Sequence, residues 1–364
     1  HESRMDAILL TTQVDIEYYT GFKTQFFQSP TRPWYVLIPS NDKPKAIIPT
    51  IGESGMRGTW LDDIQTWTSP NPEDDGISLL LSTIKSITKK HKCLGVPKSQ
   101  ESVLRMPLDD YENLVKSLDG IEIKDANKIL RQVRLIKSTA EIDKIRHICH
   151  LTSQGFKDLA NLLKAGESEQ ENCKRFKQHL LSLGVDDTPY MVAGSGKDGY
   201  GSIIMGPGDK IIEEGDLFIV DTGSVFDSYF CDFDRNYAFG FICDEAKRAY
   251  QVVFDATDAG FNAAQVGNTT SDVYHAMNDV MQKGGALGNS VGRLGHGLGL
   301  QLTEWPSNTA TDNTILEPGV ILTLEPGMEF LPGKEMVHEE NIVITENGPE
   351  WLTQRASEEL PIIQ

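Results

Sequence analysis

Phe218-Ile219-Val220-Asp221-Thr222-Gly223, followed on the return by Tyr229-Phe230-Cys231-Asp232-Phe233-Asp234-Arg235, has the pattern of a β-hairpin: apolar residues, a carboxylate near one end, a glycine, then a second alternating run. With its loop centred on Phe226-Asp227, Asp221 falls directly opposite Asp232. Facing residues on a sheet have Cβ atoms about 5 Å apart, where two like charges repel unless something positive lies between them. A cation is the simplest remedy.

A second pair repeats the arrangement. Val320-Ile321-Leu322-Thr323-Leu324-Glu325 runs into Leu331-Pro332-Gly333 and returns through Val337-His338-Glu339-Glu340-Asn341-Ile342. A three-residue loop with Gly333 in the left-handed position sets Glu325 opposite Glu339, whereas a two-residue turn on Pro332-Gly333 sets Glu340 there. Between the hairpins lies Arg293-Leu294-Gly295-His296-Gly297-Leu298-Gly299, one imidazole among glycines that let a backbone or ligand come close. Four carboxylates and one histidine suit a pair of divalent ions, and an oxygen-rich set with a single imidazole fits Mn, Fe, Co or Zn.

The chain has 364 residues and 40.4 kDa, which is long for one core and leads us to expect two domains. Its net charge of −19 argues against nucleic acid or an anionic membrane as partner and for a small molecule or peptide. No apolar run approaches the roughly 20 residues of a membrane span. No basic segment followed by an apolar core marks a secretory leader. Cysteines at 93, 149, 173, 231 and 243 show no CxxC spacing and cannot all pair, so free thiols in a reducing, cytoplasmic setting are expected.

In the first half, Ala7-Ile8-Leu9-Leu10, Trp34-Tyr35-Val36-Leu37-Ile38 and Ala46-Ile47-Ile48 read as strands, 77–91 as a helix, and Cys93-Leu94-Gly95-Val96-Pro97 as the strand after it. Ser138-Thr139-Ala140-Glu141 and Ser168-Glu169-Gln170-Glu171 are capping boxes that open helices. Two further helices are expected at about 245–264 and 271–283, so the second half is α+β with its acids on strands. His147, His150, His179 and His275 lie in helix-like segments; only His296 and His338 share stretches with the acids.

Together these segments resemble the pita-bread metallohydrolase family, which includes proline dipeptidase, aminopeptidase P, methionine aminopeptidase and creatinase. The motifs that carry the resemblance are Asp221-Thr222-Gly223, Asp232 with Arg235, Gly295-His296-Gly297-Leu298-Gly299, Glu304-Trp305-Pro306, Leu324-Glu325-Pro326-Gly327 and Glu339-Glu340-Asn341. Asp15-Ile16-Glu17-Tyr18-Tyr19-Thr20-Gly21-Phe22 is similar to the start of a creatinase-type N-terminal domain. The resemblance implies an α+β chain in which a creatinase-type α/β domain, residues 1–133, precedes a pita-bread catalytic domain, residues 134–364. It implies a metal-dependent hydrolase of the Xaa-Pro dipeptidase and creatinase type with two divalent ions. Asp221 would chelate one, Asp232 and Glu339 would bridge both, and His296 and Glu325 would complete the set. Glu325 would also move the proton, and Glu339 is favoured over Glu340. Members of this kind commonly form homodimers, with Gln25-Phe26-Phe27-Gln28-Ser29-Pro30 as a border loop.

Two departures bear on substrate. Proline-specific members carry a histidine where this chain has Thr303, and another near Ile203-Ile204-Met205. Asp234 stands where a threonine is usual. Thr303, Asp234, His338 and Tyr229 are the residues expected to face substrate. The retained acids with altered imidazoles imply a hydrolase acting on a C–N bond in a small substrate or dipeptide. The alternative is a non-peptidase acting on a small zwitterion, such as a dimethylsulfoniopropionate lyase, an ectoine-derivative hydrolase or a creatinase. A scaffold that has lost catalysis is a third class, and the intact set of acids argues against it.

Overall fold

Apolar runs bounded by turn residues become strands in both halves of the chain, whose residues 3–289 and 291–364 are described by a computed structural model. The chain divides into two compact units, His1–Val133 and Arg134–Gln364.

The first unit is built on a six-stranded sheet: β1 (Ala7–Leu10), β2 (Tyr35–Pro39), β3 (Lys45–Pro49), β4 (Asp63–Trp67), β5 (Cys93–Val96) and β6 (Glu122–Asp125), ordered β4-β3-β2-β1-β5-β6. β1, β2 and β3 pair antiparallel, and the outer pairings are parallel. Strand alternation divides its apolar residues between two cores. Leu9, Leu37, Ile47 and Leu94 join Leu80 and Ile84 of the helix Ile77–Ile87 on one face, while Leu10, Val36 and Ile48 join Ile16, Phe22 and Trp34 on the other. That helix stops short of the expected residue 91. The Asp6 carboxylate takes the amides of His91 and Cys93, which turns the chain into β5 instead.

The second unit places helices against two sheets. One sheet is ordered β18-β10-β8-β7, from β7 (Asp187–Lys197), β8 (Asp216–Phe226), β10 (Phe233–Phe239) and β18 (Ile362–Ile363), with the short β9 (Tyr229–Phe230) paired to β8. The other is ordered β12-β11-β13-β16-β17, from β11 (His296–Gly297), β12 (Glu304–Ser307), β13 (Ile321–Leu324), β16 (Glu340–Thr345) and β17 (Gly348–Trp351). A ribbon of β14 (Gly327–Leu331) and β15 (Lys334–Val337) joins β13 to β16. Both capping boxes form: the Ser138 and Ser168 amides donate to Glu141 and Glu171, each at 2.8 Å, opening the helices Thr139–Leu162 and Glu169–Ser182. The helices Asp244–Ala263 and Thr270–Lys283 bury Ala249, Val253, Ala256 and Met277 in one core with Leu322, Leu324 and Ile342. The unit is α+β, and its apolar packing leaves the acids to settle among themselves.

Candidate metal centre

The first hairpin closes one residue later than its sequence suggests. Its turn is Asp227-Ser228, with φ of 47° and 70°, and Phe226 pairs with Tyr229 across it. A tight hairpin of this kind needs two left-handed residues, which a short polar side chain tolerates and a phenylalanine does not. Phe226 packs instead on His147, with centroids 4.4 Å apart. The shift corrects the expected pairing: Asp221 faces Asp234, not Asp232. Moving a turn centre by one residue moves each partner by two, so all three acids stay on one face. One row across the sheet is Val192, Asp221, Asp234; the next holds Tyr190 and Gly223, with Asp232 at the following break in the strand. The slot above Gly223 is filled by Leu302, whose Cδ1 lies 2.2 Å from where a Cβ would sit.

The second hairpin combines both loops left open above. Its turn is the two-residue Pro332-Gly333, with Gly333 at φ 71°, but a bulge between Glu329 and Leu331 restores the pairing of the longer loop. Leu324 consequently pairs with Glu340, and continuing this register sets Glu325 across from Glu339. His296 enters between the neighbouring strands because its flanking glycines permit it. A Cβ on Gly295, at φ 117°, would meet the Thr323 carbonyl oxygen at 2.2 Å, and one on Gly297 would meet the Trp305 carbonyl oxygen at 2.7 Å. The Thr323 hydroxyl accepts the His296 amide at 3.1 Å. His296 Nδ1 donates to the Gly297 carbonyl at 2.9 Å, since that oxygen can only accept, and this turns Nε2 toward Asp232 Oδ2, 3.4 Å away.

Donor atoms of Asp232, His296 and Glu339 lie within 4.8 Å of one another. Asp221, Asp232 and Glu339 are 9%, 4% and 2% exposed, yet Asp221 Oδ1, Asp232 Oδ1 and Glu339 Oε1 are buried with no hydrogen-bond partner among the described residues. Native proteins rarely leave such atoms unpaired. Burial pushes the carboxyls of Asp221 and Glu339 well up, and neighbouring acids push them further. Asp232 is also raised by burial, with His296 pulling the other way. Glu325 is pushed up to about 7, chiefly by burial, with His296 and Asp232 acting in opposite directions. Buried acids with orphan oxygens beside one imidazole nitrogen fit a divalent cation, and no side chain among the described residues hydrogen-bonds those oxygens in its place.

Glu340 has a different role. It is fully buried and bound by Arg235 at 3.1 Å, Arg355 at 3.2 Å, the Ala356 amide at 3.0 Å and the Thr353 hydroxyl. Burial alone would raise its carboxyl, but the two guanidinium groups and His338 hold it well below the usual range. Three of the four residues expected to face substrate are buried, and two of these, His338 and Tyr229, are engaged elsewhere. His338 is fully buried, its Nε2 accepts from Arg355 at 2.9 Å, and Phe254 and Tyr250 enclose its ring. Tyr229 donates to Glu141 at 3.1 Å and carries Lys144 over its ring. Asp234 is 1% exposed, its Oδ1 lacks a hydrogen-bond partner among the described residues, and His338 Nδ1 lies 3.8 Å from it. Thr303 alone of the four is exposed, its hydroxyl 3.3 Å from Arg293. Tyr190, which the sequence reading did not single out, lies on β7 opposite Gly223, and burial, then the Asp221 carboxylate, push its phenol well up. Its signal was an aromatic in an apolar run, with nothing to show that this run would be the neighbour of β8.

An α+β unit in which two hairpins bring buried acids and one imidazole together has the architecture of the pita-bread metal-dependent hydrolases. Residues 143–346 match the metallopeptidase family M24, and residues 1–136 match the creatinase/prolidase N-terminal domain. The chain belongs to metallopeptidase family M24. An uncharacterized peptidase of Staphylococcus aureus is 26% identical over 363 residues, covering 97% of this chain and 96% of its own. Among solved structures, a prolidase from Thermococcus sibiricus superposes with a TM-score of 0.88 at 22% identity, covering 99% and 95% of the two chains. An Xaa-Pro dipeptidase from Bacillus anthracis does so with a TM-score of 0.84 at 24% identity, covering 99% and 96%. At these identities the superpositions speak for the fold. Among the described residues, no helix is long and apolar enough to cross a membrane.

Proposed function

We propose that the chain hydrolyses a C–N bond in a dipeptide or similarly small amide, using two divalent ions held by Asp221, Asp232, His296, Glu325 and Glu339. The observation that carries this reading is the set of buried carboxylate oxygens on Asp221, Asp232 and Glu339 that have no partner among the described residues. What a pair of divalent ions supplies in such a set is a more acidic water and a polarised carbonyl. The side chains supply the rest. His296 presents Nε2 because Nδ1 is committed to the Gly297 carbonyl. Glu325, pushed up to about 7, is matched to exchanging a proton with the reacting groups near neutral pH.

The absent imidazoles bear on which amide is taken. Thr303 is shorter than histidine and never cationic, and Ile204 is 77% exposed in the other position. Losing one hydrogen-bond donor to a reacting centre costs roughly 100-fold to 1000-fold in turnover. Ordinary Xaa-Pro dipeptides are therefore expected to be poor substrates. The test is kcat/KM on an Xaa-Pro dipeptide for wild type, Thr303→His and Thr303→His with Ile204→His, at matched metal content, beside creatine, ectoine derivatives and dimethylsulfoniopropionate. The double variant is expected to gain on the dipeptide. Wild-type cleavage at about 10⁴ M⁻¹s⁻¹ or above, usual for a native substrate, would return the chain to the ordinary Xaa-Pro dipeptidases.

A further inference from the structure

His296 and Glu325 both stand at the ends of ladders. β11 is two residues long and its pairing with β12 shifts register between His296 and Gly297, while Glu325 lies one residue beyond β13. Buried backbone groups beyond a ladder need other partners. Asn308, one residue beyond β12 and fully buried, supplies them. Its backbone amide donates to the Gly295 carbonyl at 2.9 Å, and its own carbonyl accepts the Leu294 amide at 2.9 Å. Its side chain then bridges to the next strand: Nδ2 donates to the Leu294 carbonyl at 3.3 Å and to the Thr323 carbonyl at 2.9 Å. Leu294 stands two residues before His296, and Thr323 stands two residues before Glu325. The two backbones also meet directly, the Glu325 amide donating to the Leu294 carbonyl at 3.2 Å and the His296 amide to the Thr323 hydroxyl at 3.1 Å.

We propose that Asn308 is a positioning residue that locks the His296 segment onto the Glu325 segment, so that imidazole and carboxylate stand at a fixed separation before any ion arrives. The proposal rests on reading those two residues as metal donors. A side-chain amide nitrogen carries two hydrogens in one plane, and here each goes to the carbonyl of a different segment. A hydroxyl has only one hydrogen to give, and an ammonium would bring a buried charge. Oδ1 of Asn308 has no partner among the described residues, so the hydrogen bonding of this side chain runs through the bridging nitrogen. Gly295 leaves room for it, since a Cβ there would lie 2.8 Å from Nδ2. Asn308 is outside the group of donor atoms that lie within 4.8 Å of one another, and it acts on an ion only through the residues it holds.

The experiment is Mn(II) binding to the full chain for wild type, Asn308→Ala and the near-isosteric Asn308→Leu. Affinity is read by titration calorimetry, imidazole ligation by the nitrogen coupling of the bound ion in pulsed EPR, and the folded fraction by circular dichroism. Removing a group that orients metal ligands typically costs about 10-fold to 100-fold in affinity, and both variants are expected to lose that much. The nitrogen coupling should weaken as well, whereas a residue serving stability alone would lower Tm and leave the coupling of the folded chains as it was. Folded variants that keep wild-type affinity, or wild-type coupling, would overturn the lock, whatever their Tm. If neither variant folds, hydrogen exchange of chelator-treated wild type decides, read at the Glu325 backbone amide and the Asn308 side-chain amide. Groups as protected without Mn(II) as with it support the lock, and protection that appears only after loading overturns it. Wild type that takes up no Mn(II) would instead defeat the metal reading beneath it.

Discussion

Glu339 and Glu340 are adjacent, both buried and both acidic, yet replacing each with glutamine should have opposite consequences. Glu340 neutralises two guanidinium groups, at 3.1 Å from Arg235 and 3.2 Å from Arg355. Glutamine there leaves the Arg235 cation without its carboxylate, while Arg355 keeps Asp258 at 2.7 Å, and removing one partner of a buried ion pair costs about 3–5 kcal/mol. Whole domains are stable by roughly 5–15 kcal/mol, so Glu340→Gln should lose a third or more of the total. Glu339 has an orphan Oε1 among like charges, and Glu339→Gln should leave the metal-free protein unchanged or about 1 kcal/mol more stable. The pH dependence has opposite signs as well. Glu340 is held below its ordinary value, so its contribution is present above the unfolded value of about 4.3 and fades as pH falls through the folded one. Glu339 is raised, so its carboxyl is tolerated at low pH and becomes destabilising as pH rises through its folded value. Urea unfolding of the chelator-treated variants at pH 7 and at about pH 3, below the unfolded carboxyl value, measures both effects. Equal losses for the two variants, or a Glu340→Gln chain within about 1 kcal/mol of wild type at pH 7, would refute the reasoning.

Glu304, 9% exposed, is held between Arg134 and Lys137, and although burial raises its carboxyl these cations carry it below the ordinary value. Lys137→Met should therefore cost about 1–3 kcal/mol at pH 7, a deficit that shrinks as pH falls below about 4 and Glu304 protonates; a deficit independent of pH would show that the ion pair is not its source. The chain is also expected to be a homodimer, as the family resemblance implies. Light scattering should return twice the 40.4 kDa chain mass, and a monomer across working concentrations would remove that expectation.

The sequence carries its elements plainly where one local rule suffices. Ser138 and Ser168 start helices because a serine and a glutamate three residues on satisfy each other without help from the rest of the chain. Apolar alternation gives both cores of the first unit for the same reason. Pairing was harder, because it depends on single residues at turns. Asp227-Ser228 moved the first hairpin by two partners, and the bulge beside Phe330 moved the second by one. The acids and His296 stood out as carboxylates and an imidazole in apolar or glycine-rich runs, whereas their distinct surroundings did not. Glu340 reads like Glu339 until Arg235 and Arg355, 105 and 15 residues away, are folded against it. Tyr190 and Asn308 were similarly hidden, since a phenol and an amide acquire their surroundings only from which strand lies beside them.

The most direct test of the central claim is the metal content of the purified chain after reconstitution with Mn(II), measured by elemental mass spectrometry beside Asp232→Asn and His296→Ala. Five donors from two hairpins and the His296 strand should hold two ions per wild-type chain, and each variant should hold fewer. Wild type retaining no more metal than the variants would contradict the assignment of these residues.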